Sequence, residues 1–549
     1  MSPLFLDAFL TTLANDFTTR AMAEATAQST ARNYINVMMP GAPMRYMFDH
    51  WLKTSNSDGE LQYNSMTGNS YSYSNGSISG VAVKYHSYNN MLVPHLFSQN
   101  VQLSNGNSSI SKLLDNMLVI RGYGTGADGH SANSAKQMAP LGGVPSLTGL
   151  VADNSSKIFE AVQSPARGAF TSFISQKGKA VNVLPINDSL KTLLVGFGKP
   201  TSTDARSLKE RNTDAFDKAK RNLASKGSGT NAASKILNAS LSNAEALMKK
   251  GIGNLDAYMQ EALPRYQRIV ADAVRSLDVD SISMNPIVAS SDLILNGVGG
   301  ERFNWGIQSK DVYLFGPDYD MRNALASAFI GVYAEGLAMA EYVINENLAQ
   351  SVEIMATSLN NFFVPRVESS NGYKAPVGAA NLELILDMHA TGSHTNVFAF
   401  NAYYRGIAAG LLELISKLKS KNTFNNTVIQ FTSDFGRITR TSSTGSDHGF
   451  NQMVTSAISG AFSGGPYVVG NISRGGLNGD YSGTQGLGAS IRDYNQKGRP
   501  TPLAPASTLA ELLSVDHNPY ANLAAPLVKL KDGKLEYEFG KGAIVETAD

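Results

Sequence analysis

The chain has 549 residues, 42% hydrophobic and 17% charged, with a formal net charge of +1. That length suits one large domain with insertions or two to four smaller ones, and a near-zero charge argues against a nucleic-acid surface. With no cysteine, disulfides, zinc–thiolate sites and a cysteine nucleophile are excluded, and no run of ~18 apolar residues predicts a transmembrane helix.

In chain order, residues 5–32 look helical, with Leu6, Phe9, Leu10 and Leu13 on one side. The start lacks a basic leader and carries Asp7 within its apolar stretch, so it reads as an amphipathic N-terminal helix (1–32) rather than a secretory signal. The remainder, 33–549, reads as a single domain with two insertions. Tyr34-Ile-Asn-Val-Met-Met39 is expected to be a buried strand, stopped by Pro40-Gly-Ala-Pro43. Residues 54–110 are rich in Ser, Asn, Gly and Tyr and predict a β/loop insertion. Met117–Arg121 is a further strand, running into Gly122-Tyr-Gly-Thr-Gly-Ala-Asp-Gly-His130. This glycine-rich segment lacks Gly-Lys-Ser/Thr and is no nucleotide P-loop.

From about 200 to 280 the pattern turns helical, with Leu237, Leu241, Ala244 and Leu247 on one face. A helical insertion is expected over about 200–315. Residues 320–362 predict a long helix or a helical pair, Ala-rich from Arg322 to Met339. A βαβ unit follows: a strand over Leu382–Leu386, a helix marked by Ile407, Leu411, Leu414 and Leu418, and a strand over Val428–Phe431. Pro466–Val469 predicts one more strand and Thr508–Leu513 a late helix. Strands alternating with helices predict an α/β fold, a mostly parallel sheet flanked by helices. Ligands of such sheets bind beyond the carboxyl ends of the strands, where Asp387 and Asp434 are expected.

Three of the eight histidines fall between residues 387 and 449, within segments that carry the chemistry. Asp387-Met-His389, with His394 nearby, puts two metal-binding side chains on one side of an extended segment. In Ser433-Asp434-Phe-Gly-Arg437, Asp434 is a carboxylate suited to a metal or a histidine, and Arg437 is suited to clamping an anion. The plainer reading of that segment is an Asp434–Arg437 pair bracing a loop. In Gly445-Ser-Asp447-His448-Gly449, Asp447 is suited to orienting His448. His50, His86, His95 and His517 are expected on the surface or satisfied in the core.

The order of these segments resembles a large, poorly characterised bacterial family of exported proteins grouped with the alkaline phosphatase and sulfatase superfamily. In that family an Asp-x-His segment precedes an amphipathic helix, an apolar strand, a Ser-Glu-Phe-Gly-Arg segment and a Gly-Thr-Asp-His-Gly segment. This chain follows the same order, with Asp434 in place of the Glu. Asn33–Gly41 resembles the first strand and turn, and Gly129-His130-Ser131 a Ser-His segment. The resemblance implies an alkaline-phosphatase-like α/β fold, location in the periplasm or at the cell surface, and a paired-metal site for phosphate or sulfate esters.

By that resemblance one divalent cation (zinc, calcium, magnesium or manganese) would take Asp387, His389 or His394, and His448. The second site departs from the pattern. No carboxylate follows the first strand before Asp49, and Phe435 stands where a His is implied. Thr125 and Ser131 are candidate nucleophiles. Two readings follow: a metal-dependent ester hydrolase with a degenerate second site, using Asp434, Arg437 and Asp447 beside the metal; or an inactive scaffold without metal, binding a protein partner in a homo-oligomer or surface assembly.

Overall fold

The computed structural model describes residues 31–54, 72–73, 76–77, 82–83, 85–157, 159–163, 172–179, 181–183, 253–277, 284–285, 292–296, 302–306, 315–316, 319–356, 362–365, 381–384, 393–439, 446–449, 453–473, 491, 494, 500–542 and 545–546. Eight strands form the central sheet: β1 (Asn33–Met39), β2 (Met117–Tyr123), β3 (Ala161–Gln163), β4 (Val181–Val183), β5 (Ser351–Met355), β6 (Thr427–Ser433), β7 (Met453–Ser459) and β8 (Tyr467–Val469). Their order is β4-β3-β5-β1-β6-β7-β2-β8. All neighbours run parallel except β7, which is antiparallel to both β6 and β2. The helices are α1 (His130–Met138), α2 (Leu147–Asp153), α3 (Gly253–Arg275), α4 (Met321–Asn345), α5 (Ser393–Ser420) and α6 (Leu503–Leu512). The expected α/β architecture, a large mostly parallel sheet flanked by helices, is present. Among the described residues no helix is long and apolar enough to cross a membrane.

β1 and β6 are buried on both faces, and each interrupts its apolar residues with buried polar ones, Asn36 on β1 and Gln430 and Thr432 on β6. Side chains alternate across the sheet. Ile35, Val37, Met39, Ile429 and Phe431 join the core with α3, α4 and α5, whereas Tyr34 and Val428 join the core with α2 and α6. On the first face Phe48 stacks on Tyr404 (centroids 4.9 Å apart) and meets Phe431 edge-on. The helices approach closely: a Cβ at Gly410 would lie 2.6 Å from Leu337 and 2.9 Å from the Tyr333 ring. Buried charge on this face is paired, with Arg265 Nη2 donating to Glu341 at 2.7 Å and Arg45 bridging to Asp49. Breaking either buried pair by removing one partner costs about 3–5 kcal/mol.

Several expectations change. Residues 320–362 are not continuous helix: α4 ends at Asn345, Asn347 takes a left-handed turn (φ 60°), and Ser351–Met355 becomes β5 at the centre of the sheet. Glu353 breaks the apolar run of β5, which hides it from periodicity. The strand expected over Leu382–Leu386 is Asn381–Leu384, paired antiparallel with Phe362–Pro365 outside the central sheet. The expected βαβ unit is therefore not formed; β6 pairs with β1 instead. Within the span expected to be helical, Asp292–Asn296 and Arg302–Gly306 form an antiparallel hairpin. The periodic leucines at 237–247 lie outside the described residues, as does the expected N-terminal helix up to residue 30. The described part of 54–110 forms short hairpins that dock on α5, through Ser104 on Glu413 (2.6 Å) and Arg405 on the Asn100 carbonyl (2.7 Å).

Candidate active site

The site is built where β1 and β6 end. After β1 the chain turns through Gly41 (φ 81°) and Ala42 (φ 48°). A left-handed alanine costs roughly 1–2 kcal/mol, and three groups hold it there. Arg437 Nε donates to the Ala42 carbonyl at 2.8 Å and its Nη2 to the Gly41 carbonyl. Tyr404 of α5 donates to the Pro43 carbonyl at 3.2 Å. The Gly41 N–H, at 3.1 Å, donates to Asp434 Oδ2 just beyond β6. Asp434 and Arg437 thus brace the same turn, without the mutual pair the sequence suggested. Arg437 is buried and stacked 5.0 Å over Phe435, and its two bonds to main-chain carbonyls make it a brace of this turn.

The second contribution comes from the glycine-rich segment after β2. Gly129 (φ 94°) caps α1 in a conformation that L residues rarely adopt, and nothing crowds its missing Cβ. Asn133, fully buried, donates to the Ala127 and Gly129 carbonyls at 2.7 and 2.8 Å and fixes the segment. This presents His130, whose Nδ1 donates to Asp434 Oδ2. The carboxylate can only accept, so it sets the Nδ1–H tautomer. The other carboxylate oxygen, Asp434 Oδ1, is buried with no hydrogen-bond partner among the described residues.

The third contribution is the hairpin of Gly436–Thr439 and Ser446–Gly449. Its close approach needs glycine, because a Cβ at Gly449 would lie 2.9 Å from the Gly436 backbone. It carries His448, whose Nδ1 lies 2.5 Å from Asp128 Oδ1. Asp128 is a carboxylate on this imidazole that the sequence does not suggest; the side chain of Asp447 is outside the described residues. The two imidazoles stand edge to face, 5.0 Å apart, and Phe435 lies 4.6 Å from His130 and 4.0 Å from His448.

The structure therefore brings together Asp434 and His448, which the sequence singles out, with His130 and Asp128. Asp387 and His389 lie outside the described residues; His394 is in the first turn of α5, but its side chain is not described. The Thr125 hydroxyl is buried and bonded to Asn133, while Ser131 is exposed in the first turn of α1 beside His130. His50 is buried, and burial beside Arg121 and Arg45 holds its imidazole well below the ordinary histidine range, so it is neutral. His86 and His95 contact each other, and His517 is exposed.

Two imidazoles that each meet a carboxylate through Nδ1 are groups of the kind that transfer protons or ligate a metal. Asp434 Oδ1 and His448 are suitable oxygen and nitrogen donors for a divalent cation. Among the described residues no three His, Asp or Glu side chains group as a metal cluster.

No family model and no curated protein matches the chain. Two solved structures are similar. Ps i-CgsB shows 10% identity and a TM-score of 0.26, over 78% of this chain and 66% of its own. The PsFucS1 sulfatase from Pseudoalteromonas sp. shows 11% identity and a TM-score of 0.27, over 84% of this chain and 68% of its own. The chain thus spans about two thirds of each, and likenesses this low carry neither fold nor function across.

Proposed function

We propose that the rim formed by His130, Asp434, Asp128 and His448 is a hydrolytic site for a phosphate or sulfate ester. The observation that supports this reading is the pair of carboxylate-oriented imidazoles at the carboxyl ends of β1 and β6. Such groups do general acid–base work, typically contributing 10²–10⁴-fold to rate. A divalent cation would be held by His448 with Asp387 and His389 or His394, and would supply charge neutralisation at the ester. No carboxylate follows the first strand before Asp49, and Phe435 stands where a His is implied, so we assign one cation rather than a pair. We also propose a location in the periplasm or at the cell surface, the expectation that follows from the resemblance noted in the sequence.

A second reading has its own support. Phe435 packs against both imidazoles, and the Gly41 N–H satisfies part of Asp434. A fold kept for assembly, in contact with copies of itself or a protein partner, would tolerate such a closed site. Turnover of 4-nitrophenyl phosphate and 4-nitrophenyl sulfate, with each of zinc, calcium, magnesium and manganese, separates the two. We expect one ester to be hydrolysed, and His448→Ala to lower the rate by about 10²–10⁴-fold with the fold intact. Rates equal to buffer for both esters under every cation would leave the scaffold reading in place.

A further inference from the structure

The sheet face beneath α1 carries a row of polar side chains where a core would ordinarily be apolar. Strand register puts Gln163, Glu353, Asn36 and Gln430 side by side on β3, β5, β1 and β6. Neighbouring strands lie about 4.8 Å apart, so successive members of the row are within reach of one bridging molecule. The helix above runs inward from the rim. Its first residue, His130, meets Asp434, and its last, Met138, lies 2.9 Å (Sδ) from Asn36 Nδ2. Between these ends Ser134 and Gln137 are buried, and Gln137 Oε1 accepts from Tyr123 at 3.1 Å.

Many of these groups are only partly satisfied. Asp434 Oδ1, Thr432 Oγ1, Ser134 Oγ, Asn36 Oδ1, Gln137 Nε2 and Glu353 Oε2 are buried with no hydrogen-bond partner among the described residues. Thr432 shares a sheet face with Asn36 and Glu353 by the same register. The six atoms mark a course beginning at the rim, passing under α1, and ending at β5. Buried polar groups that protein leaves unpaired are ordinarily satisfied by internal water, which needs two to four polar partners per molecule. One amide donor, four oxygen acceptors beside it and a carboxyl group suit water, which both donates and accepts; a cation could not accept from Gln137.

We propose that α1 rests on a file of ordered internal waters running from Asp434 to Glu353, and that this file connects the Glu353 carboxyl group to solvent at the rim. Water accepts the proton from Glu353 Oε2, and the next water in the file passes one on, so that each oxygen gains one proton as it loses another. At the far end the proton goes to bulk water, leaving a carboxylate. Glu353 keeps the 2.6 Å hydrogen bond that Thr148 donates to its other oxygen. The titratable groups near it are Tyr34 on β1 and, beyond Tyr34, Tyr520; Asn36 and Gln163 flank it in the row. Burial raises the Glu353 carboxyl from the ordinary range to about 7, so it holds its proton well above the pH at which a surface carboxyl loses it. This inference is independent of the ester reading.

Proton–deuteron exchange tests it without any assay of activity. The protonated-carboxyl band of Glu353, identified by its loss in Glu353→Gln, is followed by infrared spectroscopy after transfer of the intact protein to deuterated buffer at about pH 5, where this group is protonated. We expect exchange far faster than that of the most protected core amides, and slowing by roughly tenfold in Thr432→Val, which removes one hydroxyl at nearly constant volume. Should Thr432→Val not fold, the wild-type comparison decides alone. Exchange as slow as the core amides, or a crystal structure in which Asn36, Thr432 and Ser134 pair directly with protein atoms, overturns the proposal.

Discussion

The two faces of the central sheet are packed by different means. On one, α3, α4 and α5 cover β1 and β6 with stacked aromatic rings and aliphatic side chains, and charges such as Arg265 and Glu341 meet at 2.7 Å. On the other, α1 and α2 cover strands that carry Asn36, Glu353, Gln430 and Thr432, several of them with an unpaired buried atom among the described residues. The first face secures the fold through burial. The second surrenders some of that stabilisation to a polar layer, and the rim residues His130 and Asp434 sit at its outer end. A protein tolerates such a layer where chemistry or recognition requires it.

Substitutions on the two faces should therefore differ in kind. The largest effect is expected on the aromatic face. Phe48→Ala removes a ring packed against Tyr404, Phe97 and Phe431, and should lower the unfolding free energy by about 3–5 kcal/mol in urea titrations, with little dependence on pH. A smaller but pH-dependent effect is expected on the polar face. The folded pKa of Glu353 is raised from 4.5 to about 7 by burial, so the folded state binds the proton more tightly than the unfolded one. Its stability is then fully present below about pH 4.5 and falls as pH rises towards 7, by an amount on the order of 2–3 kcal/mol. Glu353→Gln should flatten the stability profile between those two values; an unchanged profile would remove Glu353 as its source. The smallest effect is expected on neither face. Lys531→Ala breaks an exposed pair with Glu536 and should change stability by less than about 0.5 kcal/mol.

Much of the fold is legible in the sequence because strands buried on both faces are rich in apolar and β-branched residues. β1, β2, β6 and the late helix α6 follow from such patterns. β5 does not, since Glu353 interrupts it and the preceding Ala-rich helix draws it into a helical reading. The strand near 382 illustrates a different limit: local pattern identifies an extended segment but not the sheet it joins. At the site, Asp434 and His448 are legible from their own segments. Their partners are not. Asp128 lies 320 positions from His448 and His130 lies 304 from Asp434. The available signal is the glycine-rich run after β2 that contains Asp128 and His130. The sequence singles out Arg437 for its chemistry toward an anion; its bonds to the Gly41 and Ala42 carbonyls, 396 and 395 positions away, depend on how the chain folds and are not legible.

Two imidazoles at the rim meet separate carboxylates. Nitrogen-15 NMR of histidine-labelled protein, with the eight histidines assigned by substitution, reads their tautomers directly. We expect His130 and His448 in the Nδ1–H form, Asp434→Asn to release only His130, and Asp128→Asn to release only His448. If both rings are in the Nε2–H form in the wild-type protein and neither substitution alters them, the site described here does not exist in solution.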